Sequence, residues 1–245
     1  MASERSAKMG LKRIGLVLVS VIVVGAGGAC ARETAPATGD SPSLSTDATR
    51  ATRPQLSSAE AGLAIGSLAT LAVKGRAPKT GYDRALFGQA WADVDRNGCD
   101  TRNDVLRRDL RPYLLKSGTH GCLVLSGTLQ DPYLGRTVAF VRGQSTSSKV
   151  QIDHVVPLSD AWQKGAQQWT TPRRTAFAND VLNLLAVDGL TNQRKSDSDA
   201  ATWLPPNKSY RCTYAARQIA VKVKYGLWVT SAEQDALARI LEGCR

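Results

Sequence analysis

The chain predicts an α+β domain, and three observations carry that reading. Residues 150–200 run VQIDHVVPLSDAWQKGAQQWTTPRRTAFANDVLNLLAVDGLTNQRKSDSDA, an order of strand, long loop, strand and helix with polar groups at the ends of the elements. Residues 122–126 and 137–141 alternate or run apolar as strands on either side of the turn Asp131-Pro132-Tyr133-Leu134-Gly135, forming a small antiparallel hairpin. Apolar residues at helical spacing flank this centre on both sides.

The chain has 245 residues, 42% of them apolar, enough for one ordinary core and hardly for two. The net charge is +11, of which residues 1–30 supply only +3. A basic balance of this kind suits polyanions, nucleic acid or a negatively charged envelope surface, but is equally the mark of a solvated basic surface. Lys8, Lys12 and Arg13 precede an apolar run over residues 14–24, followed by small residues up to Cys30, the pattern of an export signal. That run is short of the about 20 apolar residues that a membrane span needs. Gly27-Gly28-Ala29-Cys30 resembles a bacterial lipoprotein box, with Gly27 where a larger aliphatic residue is usual. Two endings stay open, lipidation at Cys30 with membrane anchoring and plain secretion, and both place the mature chain outside the cytosol.

Cysteine usage agrees with that compartment. Cys99, Cys122, Cys212 and Cys244 remain after Cys30, an even number without any C-x-x-C, which argues for disulfides and against a thioredoxin-like site or a zinc knuckle. Three pairings are open, and chain order favours Cys99 with Cys122 and Cys212 with Cys244.

Residues 1–30 are thus the signal. Residues 31–58, rich in Ala, Thr, Ser and Pro, form a flexible linker that cannot offset its ordering entropy by burial. Residues 59–245 are the folded domain. Residues 58–73 have helical spacing through Leu63, Leu68 and Leu71, with Ser58 as cap. Residues 82–92 read as a helix facing the core through Tyr82, Leu86, Phe87 and Trp91. Asp93-Val94-Asp95-Arg96-Asn97-Gly98 then opens like a calcium loop with Asp93, Asp95 and Asn97 as ligands, although Asp104 stands where the pattern wants Glu. The competing readings are an Asx-type turn made rigid by Gly98 and a loop that shapes the active cleft through Asp100, Arg102 or Asn103. A helix over 101–110 ends at Pro112. In the tail, 213–225 and 231–241 are helical, the second opening on a near capping box at Ser231-Ala232-Glu233-Gln234. The basic residues Arg217, Lys222 and Lys224 of the first extend a nucleic-acid surface on this reading.

The chemistry concentrates at 150–200. Phosphodiester hydrolysis needs an activated water, stabilisation of charge on the phosphoryl oxygens and help for the leaving group. His154, at a strand end after Asp153, has the side chain suited to the first task near neutral pH. Asp153 and Asn192 offer hard oxygen donors for a divalent ion suited to the others. His120, in the turn-like Ser117-Gly118-Thr119-His120-Gly121, reads as a surface or structural residue.

Asp153-His154-Val155-Val156-Pro157-Leu158, then Asn179-Asp180 and Asn183-Leu184-Leu185-Ala186-Val187, then Asn192-Gln193-Arg194-Lys195-Ser196-Asp197 resemble the HNH, or His-Me finger, nuclease superfamily. More closely they are similar to secreted, actinobacterial-type relatives of the GmrSD-type HNH domain. The likeness spans 150–206, including Trp203-Leu204-Pro205-Pro206, with flanks at 95–102 and 127–133. It implies a ββα-metal core and a metal-dependent endonuclease, with His154 as general base and Asp153 and Asn192 as metal ligands. It implies Asn183 as a brace for the loop that orients the histidine. Mg²⁺ or Mn²⁺ is the implied ion, since a literal second histidine is missing, and Asp197 or Asp199 would assist through water. Lys195, three residues past Asn192, either meets a phosphate in support of catalysis or lies on a solvated helix face. Arg173, Arg174 and Arg194 would hold the substrate backbone. Trp162 and Trp169 either stack on bases or, with Phe177, fill the core. The substrate is DNA, with RNA second, and the enzyme acts as a monomer. The rival readings are a non-catalytic nucleic-acid-binding or envelope module and a calcium-dependent structural lipoprotein.

Overall fold

A computed structural model describes residues 56–244. The export signal, Cys30 and nearly all of the linker lie outside the described residues. The chain builds α1 (Ser58–Ala69), α2 (Thr101–Asp109), β1 (Leu110–Leu115), β2 (Val124–Asp131), β3 (Arg136–Val141), β4 (Val150–His154), α3 (Leu158–Gln163), α4 (Thr171–Ala178), β5 (Leu184–Asp188), α5 (Gly189–Lys195), α6 (Arg211–Tyr225) and α7 (Ser231–Glu242). This is an α+β fold with two small antiparallel sheets, β1-β2-β3 and β4-β5. Disulfides join Cys99 to Cys122 and Cys212 to Cys244.

The β4-β5 pair is the centre. In its register, Val150 faces Asp188 and His154 faces Leu184. Alternation on β5 sends Leu184 and Ala186 into one apolar cluster, with α2, β2 and Val150 and Ile152 of β4. Leu185 and Val187 enter another, with Tyr133, Tyr210 and Tyr214. A strand covered on both faces reads as a continuous apolar run, as Leu-Leu-Ala-Val does. Each fully buried leucine is worth about 1.5–3 kcal/mol. On the far side, α1 packs through Ala61, Leu68 and Leu71 against Ala215 and Ile219 of α6 and Leu237 and Leu241 of α7.

Several elements depart from the sequence expectation. Residues 82–92 form only a 3-10 turn, Arg84–Phe87, because Gly88 and Trp91 both take left-handed φ (83° and 60°) and break the ladder. The helix over 101–110 ends at Asp109, and residues 110–115, where no strand was expected, are β1, which tolerates Pro112 because it lies at the sheet edge. The long loop of the central stretch holds α3 and α4. The α1 cap is Ser57, whose side chain and Glu60 form a capping box, and Leu63 is 73% exposed. The α7 cap is Thr230, whose Oγ1 accepts from the Glu233 amide, so the expected box at Ser231 does not form. The Glu233 side chain is buried elsewhere.

That burial belongs to a network of charges under α3. Lys164, fully buried, lies 2.7 Å from Asp160, 2.8 Å from Asp199 and 2.7 Å from Glu233. Lys222, also fully buried, pairs with Glu233 at 3.0 Å and Asp160 at 3.4 Å. Arg76 completes the set on Asp160 and Asp199. Three cations thus balance three carboxylates, and the network ties α3 to α6, α7 and the segment after α5. Although burial alone would raise the Asp199 carboxyl, the Lys164 and Arg76 charges hold it down at about 2. A carboxylate depressed in the folded chain stabilises above its unfolded value, near 3.9, and loses that contribution as pH falls through the folded one. Asp131, raised by burial, opposes this. Urea midpoints are therefore expected to fall between pH 4 and pH 2, with a shallower fall in Asp199→Asn. Equal slopes in the two proteins would remove Asp199 from the account of acid lability.

Candidate active site

β4 ends at His154 and β5 leads directly into α5, whose start is fixed by Asp188, the Oδ1 of which accepts the Thr191 amide at 2.9 Å. The chain can pass there only because Gly189 lacks a side chain: a Cβ would sit 2.0 Å from the Ser148 carbonyl oxygen. Gly189→Ala is expected to force α5 away from the approach to β4 at a cost of about 1–3 kcal/mol. A variant melting with its parent in calorimetry would refute this.

A cavity of about 520 Å³ opens at this strand end, bordered among others by Gln151, Asp153, His154, Asn192, Arg84 and Trp91. His154 is 8% exposed, and its Nε2 donates to the Ala178 carbonyl at 2.8 Å. A carbonyl can only accept, so Nε2 carries the hydrogen and Nδ1 is the basic atom of the ring. Burial, with Arg84 and Lys195 nearby, lowers the imidazole to about 3, so the ring is neutral at neutral pH. The indole of Trp91 lies nearly parallel to it, at 15° and 6.5 Å between centroids.

Asp153 is buried between two donors. The Tyr133 hydroxyl donates to Oδ2 at 2.5 Å, and Lys195 Nζ lies 3.0 Å from Oδ1. Burial pushes the carboxyl up, while the Lys195 ammonium and the Tyr133 hydroxyl pull it back. The same burial raises the Tyr133 hydroxyl well above its usual range, so it stays a donor. Asn192 donates its amide nitrogen to Gln151 Oε1 at 3.0 Å, leaving the amide oxygen for another ligand. Asn183 holds the turn just after His154: its Oδ1 accepts the Val156 amide at 2.8 Å and its Nδ2 donates to the Val156 carbonyl at 3.1 Å.

The structure therefore brings Asp153, His154 and Asn192 to one cavity and places Asn183 behind it. Lys195 stands neither on a solvated face nor in the cavity wall. It is fully buried and also donates to the His154 carbonyl at 2.9 Å, so it neutralises Asp153 and fixes the strand end. Asp197 borders the cavity but is held by Lys79 and Ser159, and Asp199 belongs to the buried network. Trp162 and Phe177 are core, and Trp169 packs on Phe177 and Tyr225. Arg173 and Arg174 donate to backbone carbonyls, as does Arg217. Lys222 is buried and Lys224 is paired with Asp180, so α6 offers no basic face of the expected kind. Arg194 is exposed.

Sequence reasoning missed Tyr133, Trp91 and Arg84 as parts of this site, whereas Arg102, one of the residues through which the acidic loop was expected to shape the cleft, does border it. Tyr133 looked like a turn residue and Trp91 like a core one. The indication available for Trp91 was Gly88, which makes a continuous helix over 82–92 costly. In the acidic loop, Asp93 accepts the amides of Asn97 and Gly98 and Asn97 accepts that of Cys99, with Gly98 at φ 85°, an Asx-type turn.

Among the described residues no group of three or more His, Cys, Asp or Glu is arranged to hold a metal. The expected ligands at the cavity are one carboxylate, Asp153, and one amide oxygen, that of Asn192; the second carboxylate on its border, Asp197, is held by Lys79 and Ser159. Each Asp153 oxygen keeps a lone pair beyond its present partner. Such a set fits a hard divalent ion that retains most of its water and would not suit zinc.

The antiparallel pair β4-β5 thus runs into α5, with Asp153 and His154 at the end of β4. The family described as GmrSD restriction endonucleases, C-terminal domain, matches residues 100–240, more than half of the chain, and the chain belongs to that family. It is also 41% identical over 203 residues, 82% of this chain and 93% of the relative, to an uncharacterized secreted protein of Arthroderma benhamiae. No solved structure matches. Membership makes this a nuclease-type domain, with nucleic acid as the general substrate class.

Proposed function

We propose that this chain is an extracytoplasmic, metal-dependent endonuclease that hydrolyses phosphodiester bonds of DNA, with RNA as the second candidate, and that β4, β5 and α5 are its ββα-metal core. The observation that carries the reading is the His154 ring, which borders the cleft with Nε2 committed to Ala178 and Nδ1 left to take a proton from water. Secretion is supported by two disulfides and by the secreted relative.

His154 accepts the proton of the attacking water at Nδ1, and the Ala178 carbonyl favours this by stabilising the ring hydrogen that the imidazolium shares. Asn183 fixes the turn that follows and so the angle of the ring. Asp153 and Asn192 would hold one Mg²⁺ or Mn²⁺; bound there, the ion would supply charge stabilisation on the phosphoryl oxygens. Lys195 and Tyr133 keep the Asp153 carboxylate oriented. Arg84 and Arg102 at the cavity wall attract the phosphate backbone, a contact without sequence preference.

The test is incubation of the purified chain with circular DNA, linear DNA and RNA in Mg²⁺, Mn²⁺ or EDTA, alongside Asn192→Ala. Nicking that needs the ion and is weakened in the variant is expected. Undiminished cutting in EDTA would remove the metal from the reading. Salt-dependent binding without cutting in any ion would leave a non-catalytic binding module.

A further inference from the structure

Beside the main cleft lies a second cavity, of about 230 Å³, which shares Arg84, Trp91, His154 and Leu158 with it. The mechanism above makes no use of this space. Its character differs from that of the cleft. Phe87 and Ala178 are buried apolar residues in its lining, and the half-buried indole of Trp91 adds an aromatic surface. Asn179, which also borders a neighbouring cavity, is 1% exposed and contributes a polar point. Its Nδ2 donates to the Thr175 carbonyl at 3.0 Å, but its Oδ1 has no hydrogen-bond partner. Buried acceptors are nearly always satisfied, so an orphan here asks for a donor from outside the chain. Arg84, exposed at the seam of the two cavities, has no ion-pair partner among the described residues.

We propose that this second cavity is a subsite for one unstacked nucleobase of the substrate, next to the phosphate cleaved at His154. An aromatic wall and apolar floor fit the flat face of a base. The unpartnered Asn179 oxygen fits an exocyclic amine, and the Arg84 guanidinium fits the phosphate that connects the two spaces. A base inside an intact duplex is stacked and paired, and extruding it costs a few kcal/mol. The subsite therefore selects single-stranded or locally unpaired nucleic acid over regular duplex. This rests on the nuclease reading for its placement and adds the substrate class.

The experiment is fluorescence anisotropy of the full chain with short single-stranded DNA in EDTA, using a set in which one abasic site is moved along the strand. A parallel set of cleavage reactions runs in Mg²⁺. Loss of the base at one position is expected to weaken binding by about 5- to 150-fold, the range of a single base-aromatic stack. Other positions should matter less. In Ala90→Phe, whose ring enters the cavity from its exposed rim, the intact strand and that abasic strand should bind alike, and a thermal melt checks that the variant is folded. Ala85→Phe, on the same exposed rim, serves if the first variant melts early. A flat abasic scan, or a contrast that survives both fillings, overturns the subsite even if the strands are cut. A clear contrast without cutting in Mg²⁺ would keep the subsite and sink the nuclease mechanism.

Discussion

His154→Ala is expected to lower the rate of strand cleavage by about 10²–10⁴-fold, the range a positioned general base supplies. The loss should fall on kcat, because the ring is argued to act on water while Arg84 and Arg102 attract the strand. The substitution also strips the Ala178 carbonyl of its donor, at about 1–3 kcal/mol, so a melting curve must accompany the assay. The pH profile gives a second handle. Burial lowers the imidazole to about 3, below its usual 6.5, so the free enzyme keeps its base unprotonated in weak acid. The acid limb of kcat/KM is then expected below pH 6 rather than near 6.5. A His154→Ala protein that folds and cuts within a few-fold of its parent would sink the assignment.

Lys164→Met is expected to lower stability by about 3–5 kcal/mol, because it leaves Asp160, Asp199 and Glu233 short of one buried positive charge. For a domain of this size that is a fall in Tm of about 6–20 °C. The exposed pair Lys79–Asp197 is the control, since its members are 53% and 44% exposed and Lys79→Ala should cost less than about 1 kcal/mol. The damage should also reach the site, because Asp160 and Lys164 anchor the segment that follows His154. If denaturant midpoints put Lys164→Met within about 1 kcal/mol of the parent, the network does not carry the weight assigned to it.

The strand-strand-helix order of the central stretch was legible because its signals are local. Leu184 to Val187 is continuous and apolar, a polar segment follows it at Thr191-Asn192, and Asp153-His154 interrupts an apolar run. Period-2 patterning and a turn at Pro132 likewise exposed the β2-β3 pair. What stayed hidden depended on distant partners. Lys195, Lys222 and Glu233 carry charges that a sequence places on the surface, and only the fold brings their opposite charges within 3.0 Å. Tyr133 became a partner of Asp153 through tertiary packing, which no spacing rule encodes. Trp91 is hidden by the helical period of 82–92, which Gly88 and the left-handed φ of Trp91 itself interrupt. β1 stays hidden because Pro112 ends a helix as readily as it sits in an edge strand, and the sequence alone does not show that this strand lies at an edge.

The charge-balanced network beneath α3, with its lysines and carboxylates buried and only Arg76 reaching solvent, has a practical corollary for anyone handling the protein. Dissolved ions shield surface charges but scarcely reach pairs closed off from solvent. They do compete with every basic group that grips a polyanion. Ionic strength thus becomes a dial that loosens the hold on a nucleic acid while leaving the scaffold intact, so a strong salt wash should strip carried-over strands during purification without melting the fold.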